Sequence, residues 1–214
     1  MKQPDLSRRK FLDKTKVCGL GAAGLMFAPQ RQPSKLSVAQ SENQNVFGPR
    51  TGYTPHISNL VSMMNWMRST ILRPVQGMSI KDLDYLHDEN SNSIGAMLLH
   101  LAATEKYYYL NTFENKRWGS WDAKVASEWD TPMNLGERGR QMIKGNPLDF
   151  YLEKLNSIRE NTLAGLKEKD DDWLFYTDEN FVWGPTNNYC KWFHVVEHES
   201  NHNGQMKYVS SRIA

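Results

Sequence analysis

The sequence predicts an all-α protein whose body is an antiparallel four-helix bundle. Three observations point there. Apolar residues recur at helical spacing over four long stretches. Three of the stretches open on a capping residue, with proline in the first turn of two of them. Polar joins separate the stretches, and long amphipathic helices bury their stripes most readily against one another.

The first helix opens at Thr54-Pro55 and carries Ile57, Leu60, Val61, Met64, Met67, Ile71 and Leu72 on one stripe. It should stop near Pro74 and be followed by a short helical turn over residues 79–86. The second opens among Asn90, Ser91, Asn92 and Ser93, carries Ile94, Met97, Leu98, Leu101, Glu105 and Tyr108, and runs to about residue 113. Residues 114–146 are rich in Trp, Gly and charge and should wrap over the bundle, with a short helix over 135–143. The third opens at Asn146-Pro147, with Phe150, Tyr151, Leu155, Ile158, Leu163 and Leu166 inward. Alternation over 173–183 suggests a small hairpin. The fourth helix covers about 186–212, and the bundle as a whole 54–214.

The N-terminus is a different kind of sequence. Basic residues Lys2, Arg8, Arg9, Lys10, Lys14 and Lys16 precede an apolar, Gly- and Ala-rich run over 17–28. That run is too short to span a bilayer and suits a signal segment. The order Ser7-Arg8-Arg9-Lys10-Phe11-Leu12 resembles a twin-arginine export signal. Residues 1–39 are thus expected to be a signal peptide cut after Ala39, and 40–53 a linker rich in Gln, Ser and Asn. The protein is expected outside the cytoplasm, in the periplasm or beyond, with no membrane partner once the signal is removed. A formal net charge of +2 offers no basic face for nucleic acid. Of two cysteines, Cys18 would leave with the signal, and Cys190 reads as a packed thiol. Any metal must then be held by histidine and carboxylate.

Three of the six histidines, His194, His198 and His202, lie four residues apart on the last helix. Each step of four turns the side chain by only about 40°, so two successive imidazoles can grip one ion. Trp192, Val195, Met206 and Val209 mark the inward stripe. His202 falls within it and His198 on its edge, so these two are the predicted pair. His194 lies further round and reads as a packing or orienting residue. A third ligand must come from another helix. His100, in an apolar run with small neighbours Ala96, Ala103 and Thr104, is the candidate. Its plainer reading is a hydrogen-bonded core histidine. His56 and His87 read as helix-end or surface residues.

Two passages carry a family resemblance. One runs from Asn92-Ser93-Ile94-Gly95 into Leu99-His100-Leu101-Ala102 and Glu105. The other is His194-Val195-Val196-Glu197-His198-Glu199-Ser200-Asn201-His202-Asn203-Gly204-Gln205. Together they resemble the DinB-like family of metal-binding four-helix bundles, which includes low-molecular-weight-thiol transferases. The likeness covers about 54–213. It implies a DinB-like bundle with one divalent metal on His100, His198 and His202. Family members often pair as homodimers, and the likeness alone carries that to this chain.

Three neutral imidazoles leave a coordination position open, the catalytic arrangement. Zn, Ni, Cu, Fe or Mn are candidate ions. The expected chemistry is metal-dependent, with activated water in a hydrolase or a thiolate in a thiol S-transferase acting on a small molecule. An exported location tilts slightly towards water, which needs no supply. A non-catalytic carrier of metal or a small ligand is the alternative. A carboxylate or carbonyl should orient His198 and His202 from behind. Glu105 and Glu199 are the candidates for that role or for a general base.

Overall fold

The structure is a computed structural model that describes residues 43–213. The export segment expected over 1–39 lies outside the described residues. Helices dominate: α1 (Pro55–Val75), α2 (Ile80–Leu83), α3 (Ile94–Thr112), α4 (Ala123–Asn134), α5 (Gly136–Met142), α6 (Leu148–Lys167), α7 (Asp171–Phe175) and α8 (Asn188–Ser210). Two short strands, β1 (Thr177–Asp178) and β2 (Thr186–Asn187), pair antiparallel just before α8. Among the described residues no helix is long and apolar enough to cross a membrane.

The caps fall close to where residue chemistry puts them. Pro55 sits in the first turn of α1 behind Thr54. The Ser93 hydroxyl accepts from the Ala96 N–H at the start of α3, and the Asn187 carboxamide accepts from Cys190 at the start of α8. Three local expectations need correction. Residues 123–134 form a full helix, α4, where a wrapping segment was expected. Pro147 is itself the cap of α6, one residue later than expected. The stretch after 170 begins with the helix α7, so the hairpin is confined to 177–187.

Helices α1, α3, α6 and α8 make the predicted four-helix bundle, in the ring order α1–α8–α3–α6, but not with every neighbouring pair antiparallel as expected. Side-chain pairs give their directions. On α3 and α8, His100 meets His198 while Tyr108 meets His194, so these two run antiparallel. On α1 and α8, Arg68 meets Glu199 and Thr70 meets Asn203, so these run parallel. On α3 and α6, Gly95 faces Tyr151 while Glu105 meets Arg159, again parallel. The bundle therefore reads up, down, down, up. The cause is the long connection over 113–147: its helices α4 and α5 carry the chain back before α6 begins.

The parallel α3–α6 contact is close. A Cβ built on Gly95 would lie 2.7 Å from both Cζ and the hydroxyl oxygen of Tyr151. Tyr151 is fully buried and cannot swing aside. Gly95→Ala is therefore expected to cost about 1–3 kcal/mol through overpacking. A lowered urea midpoint at unchanged slope would show it; an unaltered midpoint would refute it.

Four charged side chains lie in the middle of the bundle, one from each long helix. Arg68 and Arg159 bridge Glu105 and Glu199 at 2.6–2.9 Å. All four are nearly or fully buried. Burial alone would raise the Glu105 carboxyl, but Arg159 and Arg68 outweigh it and hold it below the usual carboxylate range. Each arginine also donates to a neighbouring helix's backbone, Arg68 to Leu155 O and Arg159 to Met64 O, both at 3.0 Å.

Candidate metal centre

His198 and His202 are one turn apart on α8, and both face α3. His100 meets them from mid-α3. Their ring centroids form a near-equilateral triangle with sides of 4.9, 4.9 and 4.6 Å. One ring nitrogen of each lies within 4.8 Å of those of the other two. The three residues predicted from sequence as ligands are thus brought together and could hold one metal ion.

The orientation of His100 can be derived. Its Nδ1 lies 2.9 Å from the Pro132 carbonyl oxygen. A carbonyl only accepts, so Nδ1 must carry the proton. In the neutral ring Nε2 then presents its lone pair, and Nε2 is the atom 2.7 Å from His198 Nε2. Pro132 O is available because it lies in the last turn of α4, where helix carbonyls lack intrahelical partners. The group behind the ligand is therefore a backbone carbonyl from a helix that the sequence did not announce.

Protonation of these rings is disfavoured. Burial, then the neighbouring His202, His100 and His194, bring His198 down to about 3. Burial, then His100, bring His202 down to about 4, with the Gln205 side chain opposing. Burial also lowers His100, against the pull of the Pro132 and Met133 carbonyls. Three crowded, unprotonated imidazoles are a donor set made for a divalent cation. The buried His202 Nδ1, which lacks a hydrogen-bond partner, fits the same reading.

A pH dependence follows for the metal-free protein. Unfolded histidine titrates near 6.5, whereas His198 and His202 hold protons only near 3 and 4 when folded. Between those limits the unfolded chain binds more protons, so stability falls as the pH falls. The thermal midpoint of the metal-free protein should be flat above about pH 7 and decline from about 6.5 towards 4. A midpoint unchanged across that window would contradict the buried, neutral state of these rings.

The other predicted residues fall elsewhere. Glu105 and Glu199 do not stand behind a histidine. Their hydrogen bonds go to Arg68 and Arg159. One step along α8 from His198 turns the side chain by about 100°, away from α3 and towards α1 and α6. His194 stays outside the triangle and shares a 3.0 Å hydrogen bond between Nδ1 and the Tyr108 hydroxyl. His56 sits at the start of α1 against Phe175, and His87 lies against Tyr208. Cys190 is exposed, not packed, because the buried stripe of α8 passes through Lys191 and Trp192 instead. Sequence reading missed Pro132, Arg68 and Arg159. The two arginines could have been found, since each interrupts an otherwise apolar stripe. Pro132 acts through its backbone and leaves no such mark.

A family model described as mycothiol-S-transferase matches residues 59–214. No match is found among curated proteins.

Proposed function

The chain belongs to the mycothiol-S-transferase family, and from that premise we propose that it joins a low-molecular-weight thiol, mycothiol or a close analogue, through its sulfur to a small electrophile. His100, His198 and His202 would hold the divalent metal this needs. The observation that carries the reading is the convergence of three unprotonated imidazoles from two helices.

The residues divide the work. The Pro132 carbonyl fixes the His100 tautomer and aims Nε2 at the cluster. His100 and His202 are buried, while His198 is partly exposed, so reactants approach over His198. The buried arginine–glutamate cluster anchors α8 one residue beyond His198 and holds the pair in place. A divalent cation seated on these rings would favour the thiolate form of an approaching sulfur at neutral pH. We place the activity outside the cytoplasm, on the support of the twin-arginine-like run at residues 7–12.

The test is a conjugation assay with the zinc-loaded protein, mycothiol and iodoacetamide, followed by mass spectrometry. The expected result is faster formation of the S-conjugate, one thiol consumed per electrophile, lost on chelation. Zinc-loaded protein that gives no acceleration would overturn the reading. Consumption of an ester substrate without any thiol would point to a hydrolase instead.

A further inference from the structure

Resting on the transferase reading, we propose that Trp183 and His194 form the docking wall for the second reactant, and that this wall takes a flat, uncharged aromatic electrophile. The wall begins at the one ligand open to solvent. The His194 ring lies 5.2 Å from that of His198, tilted by 33°. The Trp183 ring stands edge-on to His194 at 5.0 Å. The buried Phe181 backs the indole at 5.1 Å. Aromatic surface therefore runs from His198 over His194 to Trp183 without a gap.

Trp183 is the unusual member. It is 53% exposed, although Phe181 two residues earlier is buried. The indole is not on a loose segment. Gly184, at φ +88°, turns the chain there, and its N–H donates to Phe181 O at 2.9 Å. The β1–β2 pairing closes the segment on its other side. An ordered turn thus presents a large apolar ring to solvent beside a reactive centre. His194 is fixed too, by the Tyr108 hydroxyl at 3.0 Å. Offset and edge-on ring contacts of this kind favour an aromatic guest over an aliphatic one by about 2- to 12-fold.

Charge narrows the class. Lys191, whose ammonium lies 4.4 Å from the Phe181 ring centre, is already paired with Asp178 at 2.9 Å. The opposite flank of the triad has another chemistry. There Gln205 adjoins His202 and helps line a cleft of about 680 Å³ with Asn90, Ser91, Asn92 and Asn201. Amides and hydroxyls suit a polar reactant, so the two flanks can sort the two reactants.

The probe is 4-nitrobenzyl alcohol, which is flat, neutral and unreactive. Binding to the zinc-loaded protein is measured by calorimetry and saturation-transfer NMR. Trp183→Ala should weaken it about 10-fold, Trp183→Phe should restore most of the loss, and anionic 4-nitrobenzoate should bind worse than the alcohol. With 4-nitrobenzyl chloride as reactant, a thiol sulfur–carbon bond forms as the carbon–chlorine bond breaks. Chloride leaves with the electron pair, and the thiol proton passes to buffer. Trp183→Ala should raise KM for that reactant more than it lowers kcat. The wall is overturned if the wild-type protein does not bind the alcohol, or if Trp183→Ala binds it equally well. Turnover of iodoacetamide by the wild type judges the transferase reading separately, so failure of one is not mistaken for failure of the other.

Discussion

His100→Ala is expected to empty the metal centre. The ring supplies one of three donors, and it is the only one from α3. Without it, two imidazoles one turn apart on α8 remain. Loss of a mere orienting partner behind a ligand costs about 10–100-fold in metal affinity, so loss of the ligand should cost at least the upper figure. Elemental analysis of dialysed protein should then fall from about one ion per chain, the number one triad can hold, to near zero. S-conjugate formation should fall with it. His198→Ala and His202→Ala should behave alike, whereas His56→Ala should keep its metal, since that ring packs on Phe175 at the far end of α8 from His202. Retention of a full complement of metal by His100→Ala would end the three-histidine assignment.

Glu105→Gln should be the most damaging single change for stability. Glu105 is 0% exposed and is shared by Arg68 and Arg159. Removing its charge leaves two buried guanidiniums on Glu199 alone. Breaking a buried ion pair in this way costs about 3–5 kcal/mol. In a bundle of this size that lowers the thermal midpoint by about 6–20 °C. Replacing all four members together with Leu and Met should recover most of the loss, because the desolvation cost of the charges disappears with them. A loss below about 1 kcal/mol for Glu105→Gln would mean that the cluster behaves like a solvent-exposed pair.

Local features were legible in the sequence to the extent that neighbours along the chain decide them. The stripe Ile57, Leu60, Val61, Met64, Ile71, Leu72 is buried as its spacing requires. Ser93 caps α3 with its own hydroxyl. The His198–His202 pair follows from four residues making about one turn. The partnership of His100 with that pair was legible only as a candidate, since a buried histidine in an apolar helix has many ways to be satisfied. Cys190 was misread because a single polar-neutral residue near a helix start carries little directional information. Glu105 and Glu199 are expected from the sequence to orient a histidine or act as a base, whereas Arg68 and Arg159 claim both carboxylates.

The sequence by itself determined the four long helices of the bundle, their inward stripes and which two imidazoles share a turn, because helical period and capping act over a few residues. Only the tertiary structure decided that α6 runs parallel to α3, that Pro132 O holds His100, and that two arginines claim the two glutamates. These depend on how the 113–147 connection returns across the bundle. Such a path is set by the packing of whole helices against one another, and short-range patterns along the chain carry no record of it.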